Sequence, residues 1–225
     1  MFEKFKSLCK QYSHGILFLY AFIYMPWFAL VENHVTRHFH IVHMVLDDYI
    51  PFVEYFVVPY LFWFIYVSAT LVFFFFYSKE DFKKACLFLF TGMTIFLIIS
   101  TVYPNGAHIR PIVFPRDNIF TDLVKMVYAS DTATNLFPSI HVYNSIGIHL
   151  ALKNSDAFKN RKKFLLASQI TCILIILSTM FIKQHSVFDV LTGMGLAFFM
   201  WLLVYAPVGV LEKGSTTVSL PKYNK

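Results

Sequence analysis

The chain has 225 residues, of which 57% are apolar and 14% charged, and its formal net charge at pH 7 is +6. Soluble domains average about 45–50% apolar and about 25% charged residues. One small core cannot hide 27 phenylalanine and 13 tyrosine side chains. The composition excludes a disordered chain, a collagen and a disulfide-rich secreted module. We therefore interpret the sequence as a single integral membrane domain covering 1–225.

Six apolar stretches are candidates for membrane-spanning helices, since a crossing needs about 20 residues. They lie at 15–31, 53–77, 85–103, 138–152, 164–182 and 187–210. The fourth stretch contains His141, Asn144 and His149, and such polar residues are expected to face the interior of a bundle rather than lipid. The sequence thus predicts an all-α fold, a six-span transmembrane helical bundle.

Lysine and arginine are distributed unequally between the loops. The N-terminus, the loops at 78–84 and 153–163 and the C-terminal tail contain 14 of the 19 basic residues. Basic loops stay in the cytoplasm, so we expect both termini there. As a separate expectation, the membrane is a bacterial plasma membrane. The loops at 32–52, 104–137 and 183–186 then face outside.

The predicted outer loop at 104–137 is long for a compact bundle, and long loops are usually functional or disordered. Asp117 and Asn118 precede a stretch with apolar residues on one helical face. We expect a short amphipathic helix at 119–130, lying across the top of the bundle.

His185 and Asp189 are four residues apart, and on a helix this spacing lets their side chains meet. A carboxylate bonded to one imidazole nitrogen fixes the tautomer and leaves the other nitrogen free as base or nucleophile. An aspartate in an apolar span also needs a partner. A purely structural pair at a helix start explains the same spacing equally well.

Two further motifs lie on the same predicted side of the membrane. Pro138, Ser139 and His141 mark a helix start whose free N–H groups form an anion site. Arg110, held by the proline that follows it, can clamp a phosphate with two hydrogen bonds. Taken alone, an ordinary helix start and a solvated arginine explain these motifs. Together with His185 and Asp189 they supply what metal-independent phosphoryl transfer requires.

The three motifs resemble those of the type 2 phosphatidic acid phosphatase superfamily. Its pattern is Lys-x6-Arg-Pro, then Pro-Ser-Gly-His, then Ser-Arg-x5-His-x3-Asp, and it falls on 103–111, 138–141 and 178–189. The motif region is therefore 103–189. The resemblance implies a six-span lipid phosphatase or phosphotransferase with its motifs at the outer helix ends.

Three positions depart from the superfamily pattern: Tyr103 replaces a lysine, Ile140 a glycine and Thr179 an arginine. The remaining residues are most similar to the branch that contains inositol phosphorylceramide synthase and sphingomyelin synthase. That branch relies on a His-His-Asp triad and passes a phosphorylated headgroup to a lipid alcohol. Lys183 or Arg116 are candidates to replace the lost positive charge.

The resemblance also implies a role for each site residue. His185 is the nucleophile, Asp189 supports it, and His141 is the acid for the leaving group. The predicted phosphate-binding residues are Arg110, Ser139, Tyr103 and Lys183. No cofactor, metal or nucleic acid is expected. The expected partner is a phospholipid or polyprenyl phosphate, with water as acceptor and a lipid alcohol as the alternative.

Other interpretations stay open. His34 and His38 have the spacing of a helical metal pair, but no further ligand set is obvious. Asp117, Asp122 and Asp131 match no metal motif and are expected to cap helices or remain solvated. A small transporter or channel is an alternative of another class, although the inner halves of the last two spans are apolar. A membrane scaffold without activity is a further alternative.

Overall fold

The computed structural model describes residues 10–34 and 38–206, and the regular structure in this part of the chain is helical apart from two short strands. Its helices are α1 (Ser13–His34), α2 (Val45–Tyr49), α3 (Glu54–Tyr77), α4 (Lys79–Val102), α5 (Ile119–Ser130), α6 (Ile140–Asn154), α7 (Lys162–Phe181) and α8 (Val187–Val204). The first part of α1, Ser13–Tyr20, and the first turn of α3, Glu54–Phe56, are 3-10 helix. Two short strands, β1 (His40–Ile41) and β2 (Asn105–Gly106), pair in parallel.

Five of these helices, α1, α3, α4, α7 and α8, are long and apolar enough to cross a membrane, with hydropathies of 1.7 to 2.2. Their outward faces carry large apolar side chains, such as Phe22, which is 77% exposed, and Phe198, which is 61% exposed. Such surfaces suit lipid and not water. The chain is therefore an integral membrane protein. Positions 207–210 of the last predicted span lie outside the described residues.

Helix α6 covers the fourth predicted span but is shorter, with 15 residues. It packs in the centre of the bundle against α3, α4, α7 and α8. Glycines permit the close packing: a Cβ at Gly92 would lie 2.1 Å from the Tyr143 ring, and one at Gly147 would lie 2.6 Å from Phe88. The polar residues of α6, including Asn144 and Ser145, are consequently buried, in line with the prediction that this segment faces the interior.

Neighbouring helix ends show that the long helices alternate in direction. The end of α7 meets the start of α3, where Val53 N–H donates to the Phe181 carbonyl at 3.0 Å. The starts of α6 and α8 meet where Ser139 N–H donates to the Asp189 carbonyl at 3.1 Å. We call this side of the bundle the motif end. At the opposite end, the Ser155 hydroxyl donates to Asp81 Oδ2 at 2.8 Å.

Helix α5 packs against the first turns of α3 at the motif end. Its N-cap is Asn118, whose side chain accepts hydrogen bonds from the N–H groups of Phe120 and Thr121, each at 3.0 Å. Val124 and Val127 pack with Val57, Tyr60 and Ile182 in a small apolar cluster. The segment between α4 and α6 is therefore ordered against the bundle.

Candidate active site

The first turns of α6 and α8 lie side by side at the motif end. Ser139 caps α6, since its side chain accepts from Val142 N–H at 3.4 Å. Gly193 of α8 lies directly against it, and a Cβ there would come within 2.8 Å of the Ser139 carbonyl oxygen. The absence of a side chain at Gly193 lets the two helices approach closely. The close contact between the two helices places the side chains of His141 and His185 near each other.

The imidazole rings of His141 and His185 have their centroids 5.6 Å apart and are tilted by 59°. Both side chains are buried, each with 7% of its surface exposed. They lie 44 positions apart in the sequence, and the packing of α6 on α8 makes them neighbours. At this separation, both rings can contact the oxygens of one tetrahedral anion.

Asp189 lies next to His185, but the two are not joined by a hydrogen bond. His185 Nδ1 is 3.6 Å from Asp189 Oδ2, which exceeds hydrogen-bond distance. That oxygen instead accepts from Ser186 N–H at 2.8 Å, as part of a capping box that begins α8. Asp189 Oδ1 and His185 Nδ1 are buried and have no hydrogen-bond partner among the described residues. At 3.6 Å, the Asp189 carboxylate is still within ion-pair range of the His185 imidazole.

Two aromatic side chains of α3 enclose His141. The Tyr60 ring stacks on its imidazole with centroids 4.5 Å apart, and the Trp63 ring lies 4.4 Å away at 45°. The sequence pattern does not predict either residue to be part of the site. Their spacing of three places them on one face of α3, which is the only local signal that they act together.

Arg110 is held beside Gln184, the residue before His185, by hydrogen bonds to side-chain and main-chain acceptors. Its Nη2 donates to Gln184 Oε1 at 2.5 Å and to the carbonyls of Asp131 and Thr132 at 2.7 and 2.8 Å. Its guanidinium also lies over the Tyr128 ring, 4.3 Å from the centroid. Burial lowers the pKa of Arg110 from its ordinary value. Its Nε is buried without a partner among the described residues, and so remains one free donor.

Asp131 connects Arg110 to both histidines. Its Oδ2 accepts from the Tyr60 hydroxyl at 3.0 Å and from Gln184 Nε2 at 3.1 Å. Tyr60 covers His141, and Gln184 directly precedes His185. Burial raises the pKa of the Asp131 carboxyl, and the positive charge of a protonated His185 opposes this effect. Asp131 follows α5 as its C-cap, as expected, but its side chain is hydrogen-bonded to Tyr60 and Gln184 rather than solvated.

Three candidate ligands of the phosphate point elsewhere. The Tyr103 ring stacks on His40 with centroids 4.0 Å apart, and no hydrogen bond or ring contact joins it to either histidine in the described part of the chain. Lys183 Nζ donates to the main-chain carbonyl of Asp47 at 2.7 Å. Arg116 donates to both carboxylate oxygens of Glu54, at 2.6 and 2.7 Å. Ser139 and Arg110 are the predicted phosphate ligands that converge with the histidines.

Residues 109–211 match the family model of the PAP2 superfamily. This stretch of the chain is therefore similar to the PAP2 superfamily. It contains Arg110, all of α6 and the His185–Asp189 pair, whereas Tyr103 precedes it. The match extends to the superfamily and not to a branch within it. No curated protein and no solved structure matches the chain significantly.

Within the matched stretch, Thr179 stands where the superfamily pattern has an arginine. Its hydroxyl donates to the Ile176 carbonyl at 2.8 Å. Its own carbonyl accepts from the N–H groups of Gln184 and His185, at 2.9 and 3.0 Å. Thr179 therefore supports the backbone that leads into His185 and supplies no charge.

Two cavities in the described part of the chain lie away from the histidine pair. One, of about 560 Å³, lies between α1 and α4 and is lined in part by His14, Lys83 and Cys86. The other, of about 390 Å³, lies between α3 and α7 and is lined mainly by apolar residues such as Phe62. Within the described residues, no group of three His, Cys, Asp or Glu side chains is arranged to bind a metal.

Proposed function

We propose that this protein transfers a phosphoryl group from a lipid phosphate ester without a metal, and that His185 is the nucleophile. Similarity to the PAP2 superfamily suggests lipid phosphatase or phosphotransferase activity. The observation that carries the proposal is the 5.6 Å separation of two buried histidine rings at one end of a membrane bundle. Asp189 and Arg110 lie close to this pair.

The chemistry has two steps. In the first, a His185 ring nitrogen attacks phosphorus, the P–N bond forms and the ester P–O bond breaks, while His141 donates a proton to the leaving oxygen. Asp189 stabilises the positive imidazole ring, and the free Nε–H of Arg110 donates to a phosphate oxygen. In the second step, an acceptor oxygen attacks phosphorus and gives its proton to His141, while the P–N bond breaks and releases His185. Water is the first candidate for this acceptor.

The arrangement of charge supports a site at the outer side of the membrane. At the end opposite the motif end, α4 starts with Lys79, Lys83 and Lys84, and the 153–163 loop adds five further basic residues. Basic residues concentrate on the cytoplasmic side. In our proposal α6 is a further, short span, the fourth in chain order, which brings the number of spans to six. Both termini are cytoplasmic. The substrate is an outer-leaflet phospholipid or a polyprenyl phosphate of a bacterial plasma membrane.

A second candidate is the transfer of a phosphorylated headgroup to a lipid alcohol. Two of the three cations of the superfamily pattern are replaced by Tyr103 and Thr179, and the Asp131 carboxylate lies beside Arg110. Such a site has less positive charge to neutralise a dianionic phosphate monoester. A phosphodiester, which carries one negative charge, suits it better and is the donor that headgroup transfer uses.

Purified protein in detergent, assayed on phosphatidic acid, phosphatidylglycerol phosphate and polyprenyl phosphates, tests the proposal. We expect phosphate release that EDTA does not inhibit, and its loss in both His185→Ala and His141→Ala while each variant keeps its thermal unfolding temperature. Wild-type rates in both variants would contradict the mechanism. Turnover of no lipid phosphate would favour a transporter or a scaffold.

Adding lipid alcohols to the same assay, with phosphodiester lipids as donors, separates the two reactions. Hydrolysis releases phosphate or a phosphorylated headgroup at a rate that does not depend on the alcohol. Headgroup transfer forms a new phospholipid in an amount that rises with the concentration of the lipid alcohol.

A further inference from the structure

Helix α2 is a single helical turn between the first two long helices, and it brings Asp47 against the start of α8. Its neighbours Val45 and Tyr49 are exposed at 70% and 79%, whereas Asp47 is 4% exposed. The burial of one carboxylate in an otherwise exposed turn indicates that Asp47 has partners in the bundle.

Those partners lie on both sides of His185. The carboxylate of Asp47 accepts from Val187 N–H through Oδ1 at 2.8 Å and from the Ser186 hydroxyl through Oδ2 at 2.6 Å. The main-chain carbonyl of Asp47 accepts from Lys183 Nζ at 2.7 Å. We call residues 182–187 the His185 turn. Asp47 is therefore bound to this turn before His185 and after it.

The His185 turn needs such external support. Lys183 has φ = 56°, in the left-handed region, which is unfavourable for a residue with a side chain. Val187 is the first residue of α8, so its N–H has no acceptor within the helix. Asp47 provides that acceptor and places a negative charge at the positive end of the helix dipole.

The carboxylate of Asp47 also fixes the capping serine of α8. The Ser186 hydroxyl donates to Asp47 and accepts from Phe188 N–H at 3.2 Å, while Ser186 N–H donates to Asp189. Ser186 thus connects Asp47 to Asp189, the carboxylate beside His185. A second hydrogen bond, from Met44 N–H to Asp47 Oδ2 at 2.8 Å, holds the Asp47 side chain in place.

We infer that Asp47 is a positioning residue, which holds the His185 turn so that the imidazole faces His141 and Asp189. The inference gives Lys183 a role in the same contact, in place of the predicted phosphate binding. Its catalytic consequence rests on the proposed function, whereas its structural consequence does not. Asp47 acts through Ser186, Val187 and Lys183 and does not touch the reacting atoms.

Asp47→Ala and Asp47→Asn test the inference, with Asp48→Asn as the matched control. Asp48 is the next residue of α2, its side chain is 66% exposed, and it pairs with His43 rather than with the His185 turn. We expect Asp47→Ala to lower kcat about 100-fold, because a shift of about 1 Å in a reacting group costs this much. KM should stay within about twofold, since substrate contacts are unchanged.

Asp47→Asn keeps an acceptor for Val187 N–H but loses the charge and the second carboxylate oxygen. It should lower kcat less than the alanine variant does, and Asp48→Asn should change neither constant. Should Asp47→Ala fail to fold, Asp47→Asn decides the question. An unchanged kcat in folded Asp47 variants, or a raised KM at constant kcat, would overturn the inference.

Hydrogen–deuterium exchange followed by mass spectrometry provides a readout without turnover. Peptides that cover 182–188 should exchange faster in Asp47→Ala and as in the wild type in Asp48→Asn, while peptides of α4 stay unchanged. A protein that turns over no lipid phosphate but shows this pattern would refute the proposed function and leave the contact established. Unchanged exchange at 182–188, or an equal rise in α4, would contradict the role of Asp47.

Discussion

His141 and His185 lie 5.6 Å apart in surroundings of different kinds. His141 belongs to a buried helix and packs between the rings of Tyr60 and Trp63. His185 lies in a polar turn and has the Asp189 carboxylate 3.6 Å from its Nδ1. A nearby carboxylate stabilises an imidazole that becomes positive during reaction, and of these two histidines His185 has such a contact within ion-pair range. The difference therefore favours His185 as nucleophile and His141 as acid.

The largest effect that distinguishes the two histidines should depend on the leaving group. A lipid alkoxide needs a proton in order to leave, whereas p-nitrophenolate does not. His141→Ala should lose about 10²–10⁴-fold in kcat on a lipid phosphate, and far less on p-nitrophenyl phosphate. His185→Ala should lose activity on both. Steady-state rates of the two variants on both substrates provide the measurement, and a reversed pattern would exchange the roles.

A smaller effect is expected from the aromatic side of the site. Tyr60→Ala removes the ring that packs on His141 and leaves a cavity, so kcat should fall about 100-fold through misplacement of the imidazole. Tyr60→Phe keeps the ring and loses the hydrogen bond to Asp131, and we expect less than about a tenfold decrease.

Tyr103→Phe is the matched control for the aromatic variants, because the Tyr103 ring packs on His40, away from the histidines. Its kcat and KM should equal those of the wild type. A fall in activity for Tyr103→Phe as large as for Tyr60→Phe would show that Tyr103 is not as separate from the histidines as the structure indicates.

The smallest predicted effect concerns stability and pH at Asp131, the residue that connects the two sides. Burial raises the pKa of this carboxyl in the folded protein, so the folded state binds a proton more tightly than the unfolded state. This contribution to stability is present below the unfolded pKa and is lost as the pH rises through the folded pKa. Asp131→Asn should lack that loss.

Thermal unfolding in detergent over a pH series measures this effect. Asp117→Asn is the control, since the side chain of Asp117 is 94% exposed. The Asp131 variant should have a flatter pH dependence of its unfolding temperature than the wild type and the control. Parallel curves for all three proteins would place Asp131 outside the buried network.

The long helices could be predicted because apolar composition alone locates them. The predicted span 53–77 corresponds to α3 (Glu54–Tyr77), and 164–182 to α7 (Lys162–Phe181). Helix α4 (Lys79–Val102) begins six residues before the predicted span 85–103. Its polar first turn is capped by Ser78, which accepts from Asp81 N–H at 3.2 Å. Because this turn contains charged residues, apolar composition alone places the start of the helix too late in the sequence.

The site was only partly predictable, because local spacing identifies few of its contacts. The i, i+4 spacing drew attention to His185 and Asp189, but His185 lies in the turn before α8 and not on the same helix as Asp189. Asp131 and Tyr60 are 71 positions apart, and Asp47 and Ser186 are 139 apart. No periodicity relates such pairs, since the packing of whole helices brings them together.

The most direct test of the central claim is to identify the residue that becomes phosphorylated. A ³²P-labelled lipid phosphate is mixed with the protein, the reaction is quenched at alkaline pH, where phosphohistidine is stable, and labelled peptides are sequenced by mass spectrometry. We predict label on His185 in the wild type and no label in His185→Ala. Label on His141 or on a serine, or rapid turnover without any labelled protein, would contradict the account.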